Sequence, residues 1–327
     1  MKIMFTSVGR RVELVQAFKT AAKKLNIDLT VIGADISDTA PALFFCDESK
    51  LICRIHDSQY IPQLLSICKA EAVDCLIPTI DTDLLLLSKN KKKFEEIGTK
   101  VLIGALEKVK LCRNKILTTA YFKSIGLHSP EAYDSVESYL NRETNVVPLF
   151  PAFIKPKDGS SSINAYKVEN EEELHQYAEK IDNFIIQPFI TGREYTIDVL
   201  CDYEGNPVYI TPRERLAVRT GEVIKTQIVQ DDKMIQEMKL LLADFKPSGP
   251  ITVQLIRDNK TGEDFYIEIN PRFGGGAPLS MKAGADSASA ILRMLRGERV
   301  CYSPKSAKNG AIYSRFDQSV CVNEGND

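Results

Sequence analysis

At 327 residues, 44% hydrophobic and 26% charged, the chain has the balance of a globular protein with material for sizeable cores. At roughly 100–200 residues per domain it implies two or three domains. The formal net charge of -2 lacks the concentrated basic excess of a nucleic-acid footprint, and the basic run Lys89 to Lys93 reads as a solvated helix end. The 8 cysteines include no Cys-x-x-Cys pair, and 3 scattered histidines give no support to a metal cluster or a Ser-His-Asp triad. No stretch approaches the roughly 20 apolar residues of a membrane span. The opening run Ile3 to Val8 is too short for a signal peptide, so the expected compartment is the reducing cytoplasm.

Residues 1 to about 105 alternate strands and helices. Strands are expected at Lys2 to Thr6, Asp28 to Ala34, Leu51 to Arg54, Cys75 to Pro78 and Val101 to Gly104. Helices are expected at Arg11 to Leu25, Ile61 to Glu71 and Thr82 to Phe94. That alternation implies a parallel sheet. The turn Ser7-Val8-Gly9-Arg10 has one glycine where a dinucleotide fingerprint needs three, so it reads as a plain strand-to-helix turn. Ser7, Gly9, Arg10 and Asp81 still fall at strand carboxyl ends, where open α/β sheets bind ligands, and are candidates for the acceptor substrate.

A helix over Lys108 to Ile125 opens a segment of different texture. It is rich in strand patterns: Ala152 to Lys155, Ile163 to Val168, Phe184 to Ile190, Glu194 to Asp202, Pro207 to Thr211 and Val223 to Val229. The helix Asp232 to Phe245, strands at Ile251 to Arg257 and Asp264 to Ile269, and a helix Ser280 to Leu295 follow. The last 25 or so residues show no strong periodicity.

Three stretches carry chemistry. A hairpin turn centred near Thr261 sets Gln254 opposite Glu268, with Asn270 on the same face. Three oxygen-bearing side chains then converge at a strand end, as a hard cation such as magnesium requires; the plainer reading is the polar face of an ordinary hairpin. Pro271-Arg272 and Phe273-Gly274-Gly275-Gly276 follow: an arginine to neutralise phosphoryl charge, and glycines that leave amides open to an anion. Second, Lys155 ends an apolar strand before Asp158-Gly159-Ser160-Ser161-Ser162, the composition of a flap over phosphates and also of a common hairpin turn. Third, Gln187-Pro188-Phe189-Ile190 is a proline-broken edge whose backbone could pair with an adenine ring. Glu194 just beyond could accept from ribose hydroxyls, or be a surface glutamate.

In their order and spacing these segments resemble the ATP-grasp superfamily, over about residues 110 to 300, and the texture is similar to single-unit relatives of the carbamoyl-phosphate synthetase large subunit. Gly249-Pro250-Ile251-Thr252-Val253-Gln254 and Glu268-Ile269-Asn270-Pro271-Arg272 are the most specific matches. The resemblance implies an α/β pre-ATP-grasp domain with a parallel sheet (1–107), an ATP-grasp fold of two α+β subdomains (108–300, flap-bearing part about 120–190) and a C-terminal extension (301–327). It implies that Lys115, Lys155 and Ser160 to Ser162 contact ATP phosphates, that Gln187 to Ile190 hold adenine, and that Glu194 holds ribose. Gln254, Glu268 and Asn270 match the metal positions, and Arg272 the arginine that steadies an acyl phosphate. Arg215 and Lys225 are carried over as catalytic and Arg219 as nucleotide-binding. Gly274 and Gly275 stand where the synthetase has a more polar, arginine-containing segment, which opens room for a substrate bulkier than bicarbonate and ammonia.

The expected activity is that of an ATP- and magnesium-dependent carboxylate–amine ligase, with manganese as a substitute metal, small-molecule acid and amine substrates, and a homodimer as a further expectation. The rivals are phosphorylation of bicarbonate or carbamate, and a catalytically silent ATP-binding regulator.

Overall fold

The computed structural model describes residues 1–142, 148–159 and 163–323. The chain opens with β1 (Lys2–Thr6), α1 (Val12–Lys24), β2 (Thr30–Asp35), a 3-10 turn (Pro41–Phe45), β3 (Glu48–Leu51), α2 (Tyr60–Glu71), β4 (Cys75–Pro78), α3 (Leu84–Glu96) and β5 (Lys100–Val101). All strand pairs are parallel, in the order β3-β2-β1-β4-β5. Strand order reverses at β1, so the loops after β1 and β4 flank the switch-point crevice. β3 lies about three residues before the expected Leu51 to Arg54, which the pairing of Glu48 with Ile32 fixes.

Two helices, α4 (Leu106–Arg113) and α5 (Lys115–Ser124), replace the single expected helix over Lys108 to Ile125. Asn114 breaks it: its backbone is extended and its side chain accepts from the amides of Ile116 and Leu117. The break makes Lys115 the first residue of a new helix.

The flap unit holds α6 (Val136–Leu140), β6 (Ala152–Pro156), β7 (Tyr166–Val168), α7 (Glu171–Ala178) and β8 (Phe184–Pro188), with the antiparallel order β7-β6-β8. α7 stands where the sequence analysis assigns no helix. Its start signal is present, an Asn170 cap on the Glu173 amide followed by Glu171, Glu172 and Glu173 in the first turn.

Six antiparallel strands form the large sheet, in the order β13-β12-β9-β10-β11-β14. They are β9 (Gly192–Cys201), β10 (Pro207–Arg219), β11 (Glu222–Ile228), β12 (Pro250–Asp258), β13 (Asp264–Asn270) and β14 (Ile312–Ser314), with α8 (Asp232–Phe245) between β11 and β12. β10 runs well past the expected end at Thr211. The expected helix Ser280 to Leu295 is α9 (Ala277–Ala283) and α10 (Ser287–Leu295), parted at Gly284 (φ 128°) and restarted by the Asp286 cap. The C-terminal segment, aperiodic in sequence, completes the sheet through β14, whose Tyr313 pairs with Thr226.

One core packs α8 and α5 on β9, β10, β12 and β13, including Phe122, Met238, Leu241 and Tyr266. Another joins α1 and β1 to α9 and α10, with Phe18 edge-on to both Phe5 and Phe273. Phe273 thereby anchors the glycine segment that follows it against the N-terminal sheet.

Candidate active site

The hairpin β12–β13 builds one wall of a cleft of about 300 Å³. Gln254 pairs with Glu268 and Thr252 with Asn270, so the four side chains share one face. The ladder slips once, at Ile267, between this set and the turn. Asn270 Nδ2 donates to Glu268 Oε1 at 2.8 Å. Arg215 Nη1 donates to Gln254 Oε1 at 3.0 Å, and Arg272 Nη2 donates to Asp81 Oδ2 at 2.6 Å and Asn270 Oδ1 at 3.3 Å.

Lys115 and Lys155 line the cleft from the flap side. Lys115 Nζ donates to the carbonyl of Gly159 at 2.5 Å. Burial lowers its pKa, partly offset by Glu268. Lys155 is buried and has no hydrogen-bond partner among the described residues; burial first, then the Lys115 ammonium, bring it down to about 8. Neither ammonium has an ion pair among the described residues, although the Glu268 charge acts on both, and such a pair can receive an anion.

β10 adds Arg213 and Arg215. Arg213, 2% exposed, donates to Asp198 through Nε at 2.7 Å, and Asp198 also accepts from Ser280 Oγ at 2.7 Å. A Cβ at Gly276 would stand 2.5 Å from Arg213 Nη2, so the backbone there approaches the guanidinium as only glycine allows. Arg213 Nη1, Arg215 Nε and Arg272 Nε are buried donors without partners among the described residues.

Lys115, Lys155, Glu194, Arg215, Gln254, Glu268, Asn270, Arg272, Gly274 and Gly275 come together around this cleft. Ser160, Ser161 and Ser162 lie outside the described residues. Gln187, Pro188, Phe189 and Ile190 do not line the cleft: the Gln187 side chain donates to the Pro130 carbonyl at 2.9 Å, and the Phe189 amide to the Pro151 carbonyl at 3.2 Å. Ladder bonding thus takes up part of the edge expected to be free. Arg219 and Lys225 also lie outside it. The β10–β11 ladder passes from Arg215–Thr226 to Ala217–Lys225 and then to Val218–Val223, an extra residue on each strand. Past those bulges Val218 and Val223 face the cleft, while Arg219 pairs with Asp317 at 2.9 Å on the other side and Lys225 is exposed. In the N-terminal loops the Gly9 amide donates to Asp35 at 2.8 Å, Arg10 lines a different cavity, and Asp81 is the half-buried counterion of Arg272.

Arg11, Arg213 and Glu222 line the cleft without having been given a role from the sequence, and Gly276, the last of the expected glycine run, lines it as well. Arg11 donates to the Thr79 carbonyl at 3.2 Å; burial, then the Arg272 charge, pull it down to about 10. Arg213 had a signal, being two residues before Arg215 on one strand face.

For a divalent cation the wall offers one carboxylate, Glu268, and the amide oxygens of Gln254 and Asn270. No cluster of three His, Cys, Asp or Glu suited to a metal exists among the described residues. One carboxylate with neutral oxygens suits magnesium, which keeps waters and takes the rest of its shell from phosphates.

An α/β switch-point sheet, an antiparallel large sheet and a three-stranded flap closing on a cationic cleft define the class. The chain belongs to the ATP-grasp family: the family model of the ATP-grasp domain matches residues 112–276, and that of the PylC-like N-terminal domain matches residues 3–102. Among curated relatives, a carbamoyl-phosphate synthase of Methanobrevibacter smithii is 26% identical over 247 residues, covering 70% of this chain and 65% of the relative. A D-alanine–D-alanine ligase of Aquifex aeolicus is 29% identical over 170 residues, covering 48% and 57%. The chain thus spans less than two thirds of the length of either relative. Among solved structures, the biotin carboxylase domain of Hydrogenobacter thermophilus 2-oxoglutarate carboxylase, a dimer in complex with MgADP, ADP and bicarbonate, has a TM-score of 0.74 at 17% identity. The alignment covers 95% of this chain and 73% of that one. The N5-carboxyaminoimidazole synthetase of Staphylococcus aureus complexed with ADP gives 0.73 at 15% identity, over 92% and 78%. These likenesses establish the fold. No helix among the described residues is long and apolar enough to cross a membrane.

Proposed function

We propose that the chain is an ATP- and magnesium-dependent carboxylate–amine ligase working through an acyl phosphate. The observation that carries this is the cleft in which Lys115 and Lys155 face the Gln254, Glu268 and Asn270 wall. Membership of the ATP-grasp family and relatives named as carbamoyl-phosphate synthase and D-alanine–D-alanine ligase support it. In this reading 1–107 form the preceding domain, 108–300 the catalytic fold and 301–327 an extension.

Lys115 and Lys155 bind the ATP phosphates, and Glu194 the ribose. Glu268, Gln254 and Asn270 would hold magnesium, which supplies charge neutralisation on the phosphates, with manganese as a substitute. A carboxylate oxygen attacks the γ-phosphorus and ADP leaves; Arg215 and Arg272 offset the charge that spreads over the transferred group. An amine nitrogen then attacks the carbonyl carbon. The C–N bond forms, the C–O bond to phosphate breaks, and phosphate leaves with the electron pair. An ammonium substrate loses two protons on the way to the amide; one leaves on hydrogen phosphate and one is released. Substrates are small molecules, and a homodimer is the expected assembly, checked by light scattering.

The test is phosphate release from ATP and magnesium against acids and amines, singly and in pairs. Stimulation by one pair, with the amide seen by mass spectrometry, establishes the reading. Release that needs bicarbonate alone would replace it with bicarbonate phosphorylation, and ATP binding without turnover by any pair would make the chain a nucleotide-binding regulator.

A further inference from the structure

A second cavity, of about 340 Å³, lies behind the β10–β11 hairpin. The first turn of α1, the 3-10 turn, β11, β14 and the C-terminal residues 315–320 enclose it. Val12, Phe45, Ile224 and Phe316 give it apolar walls. Most of its charges are spent on one another: Arg219 pairs with Asp317 at 2.9 Å, and Glu13 with Lys282 at 2.7 Å and Arg315 at 3.1 Å. Two further charges line it. Arg10 has no ion pair among the described residues. Glu222, whose side chain is 45% exposed, is the one residue, among those described, that lines both this chamber and the first cleft.

The local fold explains that placement. Thr220 and Gly221 both have positive φ, 49° and 76°, which makes the β10–β11 connection a two-residue turn with both central residues left-handed. It sets Glu222 directly across from Arg219 at the hairpin tip. Arg315 reaches Glu222 at 3.3 Å and Arg11 at 4.0 Å. A Cβ built at Gly275 would stand 3.4 Å from Glu222 Oε1 and 2.9 Å from Arg11 Nη1, so this carboxylate borders the glycine segment of the first cleft.

We propose that the second chamber is the acceptor site, taking a primary amine with an apolar body and an anionic group. This rests on the ligase reading above. Glu222, which lines both cavities, exchanges its contact with Arg315 for the ammonium, the apolar walls take the body, and Arg10 meets the anionic end. The bound nitrogen sheds one proton to solvent, attacks the acyl phosphate carbonyl carbon across the Gly275 segment, and sheds its second proton as phosphate departs. A molecule the size of ammonia occupies only about 30 Å³, so a chamber of about 340 Å³ is shaped for a larger amine.

Hydroxylamine separates the two halves of the reaction, because it is small and uncharged at neutral pH and traps an acyl phosphate as hydroxamate without needing an ammonium site. Wild type, Glu222→Gln, Glu222→Asp and Arg10→Ala are incubated with ATP, magnesium, the standard L-amino acids and a panel of small carboxylic acids, with and without hydroxylamine. Hydroxamate and amide products are read by mass spectrometry. In Glu222→Gln, hydroxamate formation and the KM for ATP should stay within about twofold of wild type, while amide formation falls about tenfold or more for the lost charge-assisted contact. Glu222→Asp should recover part of it, and Arg10→Ala should raise the amine KM. Melting temperatures equal to wild type show that the variants fold. Unchanged amide formation in Glu222→Gln, or a parallel fall in hydroxamate, overturns the acceptor site and leaves the ligase reading standing. Wild-type hydroxamate with no amide from any amine overturns it likewise. No hydroxamate from wild type with any acid sinks the ligase reading, and the acceptor site with it.

Discussion

The hairpins β12–β13 and β10–β11 both carry candidate residues at even spacings along a strand, Glu268 and Asn270 on one and Arg215 and Arg219 on the other, and both ladders slip. In β12–β13 the slip at Ile267 falls between the polar set and the turn, so Gln254, Glu268 and Asn270 keep the face that alternation gives them. In β10–β11 the slips fall between Arg215 and Arg219, so Arg215 stays in the cleft and Arg219 turns out of it. Period-2 reasoning holds only on one side of a bulge, because one extra residue exchanges the faces of everything beyond it.

The sharpest way to break this comparison is at the hairpin that kept its register. Glu268→Gln should cut kcat by about 10²-fold or more in the phosphate-release assay, since it removes the only carboxylate of the proposed metal set. Near-normal turnover would end the metal assignment. Arg213→Met should destabilise the fold by about 3–5 kcal/mol in urea unfolding, because it leaves Asp198 charged and buried with only hydroxyl partners. Asp198→Asn added to it should recover part of the loss; additive losses would show that the pair is not coupled.

Arg215→Met, on the cleft side of the bulges, should lower kcat/KM by about 10–100-fold. Arg219→Ala, four residues on and outside the first cleft, should leave kcat/KM for ATP, read with hydroxylamine as the acceptor, within about twofold. Equal losses would mean that the bulges do not separate the two.

The gentlest probe is pH. Lys155 sits at about 8 in the free protein against an ordinary 10.5. Between those values the unfolded chain binds more protons, so the penalty of burying this ammonium is fully present below about pH 8 and the free protein gains stability as pH rises through that window. In the proposed phosphate site nucleotide affinity moves the opposite way, because there the phosphates need the charged lysine. ATP binding by calorimetry should weaken as pH rises through about 8, and Lys155→Met should flatten that dependence. A wild-type profile as flat as the variant's would remove Lys155 from the phosphate site.

The sequence by itself determined the parallel N-terminal sheet, because strand and helix periods alternate there without interruption. It also determined the Gln254–Glu268 pairing, because the polar stretch Asp258 to Asp264 leaves one place for the turn, and the flap lysine, because Lys155 ends an apolar strand ahead of a small-residue loop. Both helix breaks had local signals, an asparagine cap at Asn114 and a glycine before Asp286. Only the tertiary structure decided the rest. Arg11 rather than its neighbour Arg10 reaches the cleft, where it donates to the Thr79 carbonyl, while Arg10 lines the second cavity. Arg213 is held by Asp198, 15 residues away in the chain, and Asp198 in turn accepts from Ser280, 82 residues from it. Glu222 joins two cavities whose second wall is the aperiodic C-terminal segment. Local pattern fixes which residues share a strand face; it does not fix which distant segment packs against that face, and the cavities exist only once that packing is made.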